Sequence, residues 1–196
     1  MIHPDVELRH ISEEIGYGIF AKKFIPKGTI TYVQDSLEIE VPPTEVKNYS
    51  KAMQEVIEKY SFIDERGYRI ISWDVAKYVN HCCQCNTIST GYGFEIAITD
   101  IYPGEQITDE YGIFNMEQAM PLFCDKEGCR KHVRPQDFDH YYPVWDKKIL
   151  TALHLLREVP QPLMHLLEGE DKEALEAYFD DPKHYKSVYS MKYKHV

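Results

Sequence analysis

Frequent turn residues divide the first two thirds of the chain into short extended segments. Within residues 6–41, Pro26-Lys27-Gly28 is a predicted turn, and the β-branched and aromatic run Thr29-Ile30-Thr31-Tyr32-Val33 follows it. Further strands are predicted at 67–72, 94–99 and 105–111. Strands do not alternate with long helices here, which argues against a doubly wound parallel sheet. The pattern predicts a mostly β fold with some α, built from small sheets.

Helical periodicity marks one segment between the strands and a second region after them. After Pro42-Pro43-Thr44, the apolar positions that recur at helical spacing are Val46, Tyr49, Met53, Val56, Ile57 and Tyr60. Beyond Pro135 a second stripe consists of Trp145, Ile149, Leu150, Leu153, Leu156 and Val159. Two shorter helices are predicted at 163–167 and 172–179. The lysine- and tyrosine-rich segment 183–196 is predicted to be a flexible, solvated end rather than a binding site.

Charge and composition exclude several classes of function. A net charge of −10 argues against direct nucleic-acid binding, which needs basic surface. An acidic surface would attract a lysine-bearing protein partner, and the alternative is that the acidity only keeps the protein soluble. No apolar run approaches the ~18 residues that a membrane helix needs, so no membrane association is expected. The N-terminal residues lack the features of a secretion signal. The expected location is the cytoplasm, or the nucleus if the source is eukaryotic.

Four motifs occur in a fixed order along residues 7–130. They are Gly16-Tyr17-Gly18-Ile19-Phe20-Ala21, Asn80-His81-Cys82-Cys83-Gln84-Cys85-Asn86, Gly104-Glu105-Gln106-Ile107-Thr108-Asp109-Glu110-Tyr111-Gly112, and Cys124-Asp125-Lys126-Glu127-Gly128-Cys129. The set resembles the GxG, NHSCxPN, GEELTxDYG and cysteine-bearing post-SET segments of the SET-domain protein lysine methyltransferases. The resemblance implies a SET fold, in which residues 80–81 pass under residues 105–111 in a knot-like crossing.

The resemblance also implies an activity and its residues. The activity is transfer of a methyl group from S-adenosylmethionine to a lysine side chain of a protein. Tyr111 matches the catalytic tyrosine of the family, and its alternative interpretation is a strand-end tyrosine that packs on the core. The residues that match the family's cofactor-binding positions are Gly16, Tyr17, Gly18, Asn80 and His81. Glycine at the first and third of these positions lets the backbone approach a cofactor closely.

The five cysteines suggest a structural zinc site. By resemblance, Cys83 and the pair Cys124 and Cys129 are zinc ligands, but Leu122 stands where the family has a further cysteine. A closed zinc site takes four ligands, and Cys85 is predicted to supply the missing thiolate. Cys82 would then remain a buried free thiol. The alternative is that zinc has been lost and all five are packed, reduced cysteines.

Asp109 departs from the family, which often has Phe or Tyr at this position. It motivates an alternative function, a catalytically inactive SET-like module that binds a lysine-bearing peptide or partner. A third interpretation is a zinc-stabilised protein that forms homodimers through its C-terminal helices. The predicted boundaries are a SET domain at 4–115, a post-SET segment at 116–137 and a C-terminal helical extension with a basic tail at 138–196.

Overall fold

The computed structural model describes residues 1–123 and 126–194. Within them lie twelve strands and three α-helices. The strands are β1 (Val6–Ser12), β2 (Gly16–Ala21), β3 (Ile30–Val33), β4 (Ile39–Val41), β5 (Ser61–Ile63), β6 (Arg69–Ile71), β7 (Asn80–His81), β8 (Thr87–Ser89), β9 (Phe94–Ala97), β10 (Gln106–Asp109), β11 (Met120–Pro121) and β12 (His132–Val133). The helices are α1 (Lys51–Tyr60), α2 (Asp137–Leu153) and α3 (Gly169–Asp180).

The strands form four small open sheets in the described residues. Their strand orders are β1-β2-β10-β7, β3-β9-β8, β4-β6-β5 and β11-β12. Strands this short follow from the closely spaced turn residues, which end each one before a long sheet can form. The prediction of a mostly β fold with small sheets and C-terminal helices is confirmed.

A parallel pairing brings distant motifs together in the first sheet. Thr108 and Asp109 of β10 pair with Asn80 and His81 of β7, while the other edge of β10 pairs antiparallel with β2. The side-chain amide of Asn86 binds the backbone of β10 and so stabilises this pairing. Its Nδ2 donates to the Gln106 carbonyl and its Oδ1 accepts from the Thr108 amide, both at 2.9 Å. Residues 80–86 therefore lie directly against β10.

The predicted amphipathic helix is divided into two pieces. A 3-10 turn covers Val46–Asn48, and α1 begins separately at Lys51. The break occurs because Ser50 is extended and its hydroxyl accepts a hydrogen bond from the amide of Met53, which caps α1. The apolar spacing runs through Ser50 without interruption, so the periodicity predicts one helix where there are two elements.

Helix α2 begins earlier and ends earlier than its apolar stripe predicts. It starts at Asp137, eight residues before Trp145, and ends at Leu153. Phe138, Trp145 and Ile149 are fully buried against the sheets. The main core cluster joins these helix residues to strand residues such as Ile30, Ile88 and Ile96. The C-terminal region thus shares one core with the β-strands.

The prediction of a flexible, solvated tail is wrong for the described residues up to 194. Asp146 of α2 accepts hydrogen bonds from the Tyr185 hydroxyl at 2.7 Å, the Ser187 hydroxyl at 2.6 Å and the Val188 amide at 2.9 Å. The Val188 side chain is fully buried in the main core. One half-buried carboxylate therefore holds the tail in place. In the described part of the chain, no helix is both long and apolar enough to cross a bilayer.

Candidate active site

The first sheet brings the GxG motif and Asn80 into direct contact. The Asn80 Nδ2 donates a hydrogen bond to the Tyr17 carbonyl at 2.9 Å. A β-carbon on Gly18 would lie 2.7 Å from the Gln106 Nε2 and 3.0 Å from the Asn80 Nδ2, so these side chains occupy the space that glycine leaves. Gly16 has φ +83° and faces open space. The structure therefore assembles four of the predicted cofactor-binding residues (16, 17, 18 and 80) in one region of the sheet, where β2 and β7 lie on either side of β10. This region is called the GxG edge below.

His81, the fifth predicted cofactor-binding residue, supports Tyr111. The Tyr111 amide donates to the His81 Nδ1 at 3.1 Å, the Asp109 carbonyl lies 3.1 Å from the same nitrogen, and the Nε2 lies 3.4 Å from the Cys83 sulfur. Burial, followed by the Arg130 charge, lowers the pKa of His81 to about 4. The ring is consequently neutral at physiological pH. The contacts of the His81 ring therefore fix the position of the backbone at Tyr111.

Tyr111 is held by its hydroxyl as well as by its backbone. The hydroxyl donates to the Val79 carbonyl at 2.5 Å, and the ring contacts those of His81 and Phe114 at centroid distances of 5.5 and 5.4 Å. Burial, followed by the charge of Asp109, raises the pKa of Tyr111. The phenol therefore stays protonated at physiological pH and keeps a fixed direction.

A cavity of about 520 Å³ opens beside Tyr111. Its wall includes the aromatic rings of Tyr32, Tyr60, Phe62 and Phe114. Among the described lining residues, none of the five predicted cofactor-binding residues occurs, but Val79, the neighbour of Asn80, does. The GxG edge and the cavity are therefore adjacent regions that meet near Val79 and Tyr111.

A row of aromatic side chains connects these two regions. Tyr17 contacts Tyr78 edge to face at 5.8 Å, and Tyr78 contacts Tyr60 in the same manner at 5.5 Å. Tyr17 is 47% exposed although it is aromatic. Sequence reasoning missed Tyr60 and Tyr78. The sequence position of Tyr78, two residues before Asn80, could have indicated that it lies at the site.

Two carboxyl groups lie in the cavity wall close to Tyr111. Asp109 of β10 is 1% exposed, and Glu95 of β9 is partly buried and shares a hydrogen bond with it. Burial raises the pKa of Asp109 to about 7, and burial together with Asp109 raises the pKa of Glu95 further above its usual range. The pair therefore holds a proton near neutral pH. Sequence reasoning identified Asp109 as a departure but missed Glu95.

Arg130 joins the motif region to the C-terminal helices. Its guanidinium donates to the Glu110 carboxylate at 2.6 Å and to the Asp137 carboxylate at 2.9 Å. All three side chains are largely buried. Glu110 also caps the turn after β10, because its carboxylate accepts from the Gly112 amide at 2.8 Å. The backbone that carries Tyr111 is thereby fixed to the start of α2.

The structure brings two of the predicted zinc ligands together. The Cys83 and Cys129 sulfurs lie 3.9 Å apart, and the backbone amides of Arg130 and Lys131 donate to them at 3.4 Å each. Two sulfurs bound tetrahedrally at ~2.3 Å from one zinc would be separated by nearly this distance. The predicted ligand Cys124 lies outside the described residues.

Cys85 lies elsewhere, in the main hydrophobic core, where burial raises the pKa of its thiol. In residues 1–123 and 126–194, no three His, Cys, Asp or Glu residues form a group that could hold a metal. Cys85 therefore does not form a three-ligand group with Cys83 and Cys129, and the zinc site stays a prediction. Cys82 is a buried free thiol, as predicted.

Similar proteins occur among solved structures but not among curated proteins. Among solved structures, the chain is similar to the methyltransferase domain of human histone-lysine N-methyltransferase SETMAR, at 16% identity and a TM-score of 0.47, with 68% of this chain and 58% of that chain covered. It is also similar to KRYPTONITE in complex with mCHG DNA and SAH, at 17% identity and a TM-score of 0.47, with 65% and 28% covered. The chain thus spans less than two thirds of both.

The family model for the SET domain matches residues 16–112. These residues begin at the GxG motif and end directly after Tyr111, so the match includes the parallel pairing of β7 with β10 and most of the cavity wall that carries the carboxyl pair. With the matched segment and the ordered motifs in agreement, residues 16–112 of the chain form a SET domain.

Proposed function

We propose that this protein is a protein-lysine N-methyltransferase that uses S-adenosylmethionine. One observation carries the proposal: the Tyr111 hydroxyl is held at 2.5 Å from the Val79 carbonyl, at the point where the cavity meets the GxG edge. A group transfer between two bound molecules is faster when both are held in a reactive geometry, and a fixed polar group at their junction orients one of them. The SET domain of the chain and the methyltransferase motifs support methyl transfer as the reaction.

The residues at the GxG edge fit the cofactor in shape and chemistry. A β-carbon on Gly16 would meet open space, and Asn80 is held in place by its bond to Tyr17. Among the described residues nothing donates to the Asn80 amide oxygen, which can accept a hydrogen bond from an amino group. S-Adenosylmethionine supplies an electrophilic methyl group on a positively charged sulfur. The residues that would hold it are Gly16, Tyr17, Gly18, Asn80 and His81.

The cavity side suits a lysine side chain. Its aromatic wall packs against a methylene chain and excludes water, which favours the uncharged, nucleophilic amine. Tyr111 orients this amine through its fixed hydroxyl. The substrate we propose is a protein with an accessible lysine, in the cytoplasm or nucleus, without direct nucleic-acid or membrane binding.

Methyl labelling tests the proposal. The purified protein is incubated with methyl-labelled S-adenosylmethionine and a mixed lysine-rich protein extract, and labelled residues are located by mass spectrometry. We expect mono-, di- or trimethylated lysine. Cofactor binding without label on any protein would instead favour the alternative, an inactive module that binds a lysine-bearing peptide or partner, which the replacement of an aromatic residue by Asp109 motivates.

A structural zinc ion is a second part of the proposal. Cys83 and Cys129 have a sulfur separation that fits two zinc ligands, and Cys124 is a predicted third ligand. Cys85, the predicted fourth ligand, forms no ligand group with Cys83 and Cys129 in the described residues. The metal would tie residues 126–130 to the Asn-His motif and so support the region around Tyr111. Homodimerisation through the C-terminal helices is a further prediction. It is tested by light scattering.

A further inference from the structure

Glu95 and Asp109 meet inside the protein on adjoining sheets. Asp109 accepts the Glu110 amide at 2.7 Å through Oδ1 and the Ser89 hydroxyl at 3.3 Å through Oδ2, and its carboxyl shares a hydrogen bond with that of Glu95. Ser89 is also the strand partner of Glu95. The backbone and a neighbouring side chain therefore fix the position of this pair, which does not depend on surface side chains.

Burying two carboxyl groups in contact has a large free-energy cost. Like charges in contact oppose ionisation, and removing a carboxylate from water costs several kcal/mol or more unless a cation compensates it. In the described residues, no side-chain ion pair reaches Glu95 or Asp109. A carboxamide at either position would make similar hydrogen bonds without this cost. Buried ionisable groups that lie in a cavity at such a cost are candidates for a functional site.

The place of the pair indicates what it contacts. Asp109 and Glu95 line the 520 Å³ cavity together with Tyr111. Glu95 also lines a second cavity of about 510 Å³, which shares Tyr32 and Phe62 with the first. Further acidic residues line this second cavity, namely Asp35, Glu40, Asp64, Glu65 and Asp171. Arg66 and Lys186 line it as well and pair with Glu40, Asp64 and Asp171. Uncompensated negative charge is therefore concentrated in the first cavity, where no ion pair among the described residues reaches Glu95 or Asp109.

We propose that Glu95 and Asp109 bind the ammonium group of the substrate lysine and take one proton from it before methyl transfer. The proposal rests on the function proposed above and names residues that this function did not include. A pair that holds one proton and one negative charge matches a single ammonium cation. In a buried site, a carboxylate and an ammonium that exchange a proton both become neutral, which removes two charges from a medium of low polarity.

The proton step balances in atoms and charge. One N–H bond of R–NH3+ breaks, one O–H bond forms on the ionised carboxyl of the pair, and R–NH2 and an uncharged pair result. The nitrogen lone pair is then free to attack the methyl carbon while the carbon–sulfur electrons return to sulfur. The pair releases the acquired proton to water when the product leaves.

The charged groups around the pair do not neutralise it. The negative charges of Glu110 and Glu38 act on the pair, and the amino group of Met1 is the cation that acts on Glu95. Tyr32 and Tyr111 are neutral, and their hydroxyls donate to Glu38 and to the Val79 carbonyl. Cys85 lies buried nearby. The remaining charged groups in the wall of the first cavity are Glu58, Lys59, Arg69, Lys77 and Glu117. Lys77 donates to the backbone carbonyls of Ser72 and Asp74, and Arg69 is paired with Glu117.

Amine binding without cofactor tests the proposal directly. The probe is n-butylammonium, which resembles a lysine side chain, and n-pentanol is its uncharged counterpart. Calorimetry from pH 6 to pH 9 is expected to show n-butylammonium affinity that rises as the pair ionises. Asp109→Asn and Glu95→Gln are expected to weaken n-butylammonium at least about tenfold and to flatten its pH dependence, with n-pentanol unchanged. Glu58→Gln removes an exposed carboxylate from the same cavity and is expected to keep the wild-type profile.

The outcomes separate this proposal from the proposed function. If both variants fold by circular dichroism and keep the wild-type n-butylammonium affinity and pH profile, the pair is not the amine site. If Asp109→Asn does not fold, the n-butylammonium affinity and pH profile of Glu95→Gln alone test the proposal. Amine binding that behaves as expected, without methyl transfer to protein, supports the pair and contradicts the methyltransferase. Transfer that is equally fast in both variants at every pH supports the methyltransferase and overturns the role of the pair.

Discussion

The Tyr111 hydroxyl donates to the Val79 carbonyl, one residue before the asparagine that binds the GxG backbone. The catalytic candidate and the cofactor-binding candidates are thus joined through a single peptide unit. A shift at either side is transmitted to the other through β7.

Replacing Tyr111 by Phe is expected to reduce methyl transfer by about 100-fold or more, because the hydroxyl orients the amine in the transition state. Cofactor affinity is expected to stay near the wild-type value, since the ring and the backbone remain. Calorimetry and initial rates measure the two quantities. Tyr102→Phe, at an exposed tyrosine, is the control. Equal rates in Tyr111→Phe and the wild type would remove Tyr111 from the mechanism.

Gly18→Ala is expected to weaken cofactor binding about tenfold, a loss of ~1.4 kcal/mol, with little change in melting temperature. The new β-carbon would displace the flexible ends of Ile11, Gln106 and Asn80, and so disturb the bond from Asn80 to Tyr17. Asn80→Ala removes the same bond and is expected to act in the same direction. Asn48→Ala, at an exposed asparagine, serves as control. Undiminished affinity in both variants would contradict the placement of the cofactor at this edge.

Arg130→Ala is expected to lower the free energy of unfolding by about 3–5 kcal/mol, because it leaves the Glu110 and Asp137 carboxylates buried without a partner. Arg9→Ala breaks an exposed pair with Glu7 and is expected to cost at most about 1 kcal/mol. Urea unfolding measures both. A similar small loss in the two variants would show that solvent reaches the Arg130 cluster.

The stability of the wild type is expected to fall, relative to Asp109→Asn, as pH rises from 4 to 8. The folded state raises the pKa of Asp109 from 3.8 to about 7, so it keeps a proton that the unfolded chain releases in this range. The stabilisation that this retained proton gives to the folded state is complete below the unfolded pKa. It is lost as pH rises through the folded pKa, and the free energy of unfolding falls by at most about 4 kcal/mol. Unfolding curves at several pH values measure the difference. A difference that is constant with pH would contradict the raised pKa.

Metal analysis of protein purified without chelator is expected to give close to one zinc per chain. Cys83→Ser and Cys129→Ser are expected to lower this occupancy, while Cys82→Ser, at a buried free thiol, is not. Cys85→Ser decides the predicted ligand set. Full zinc in that variant would exclude Cys85, in agreement with its place in the core, and no zinc in the wild type would leave the cysteines as packing residues.

Most of the fold was predictable because it depends on local signals. Turn residues set the strand lengths, and the ordered motifs indicated the contact of residues 80–81 with β10. Glu95 was missed because Phe94, Ile96 and Ile98 alternate with it and suggest that it faces solvent. The opposite face of β9 instead lines a cavity, and only the arrangement of several sheets reveals this. The tail was mispredicted because its lysines suggest solvation, whereas one distant carboxylate, Asp146, holds it.

The burial of Val188 among strand residues such as Ile30 has a consequence for biosynthesis. These residues are separated by more than 150 positions in sequence, so the central core cannot close until nearly all of residues 30–188 have been made. Until then the strands expose apolar surface and unpaired edges, which makes the nascent chain prone to aggregation. Such long-range contacts also slow folding. Expression of this protein should therefore benefit from low temperature or chaperones more than that of a helical protein of equal length.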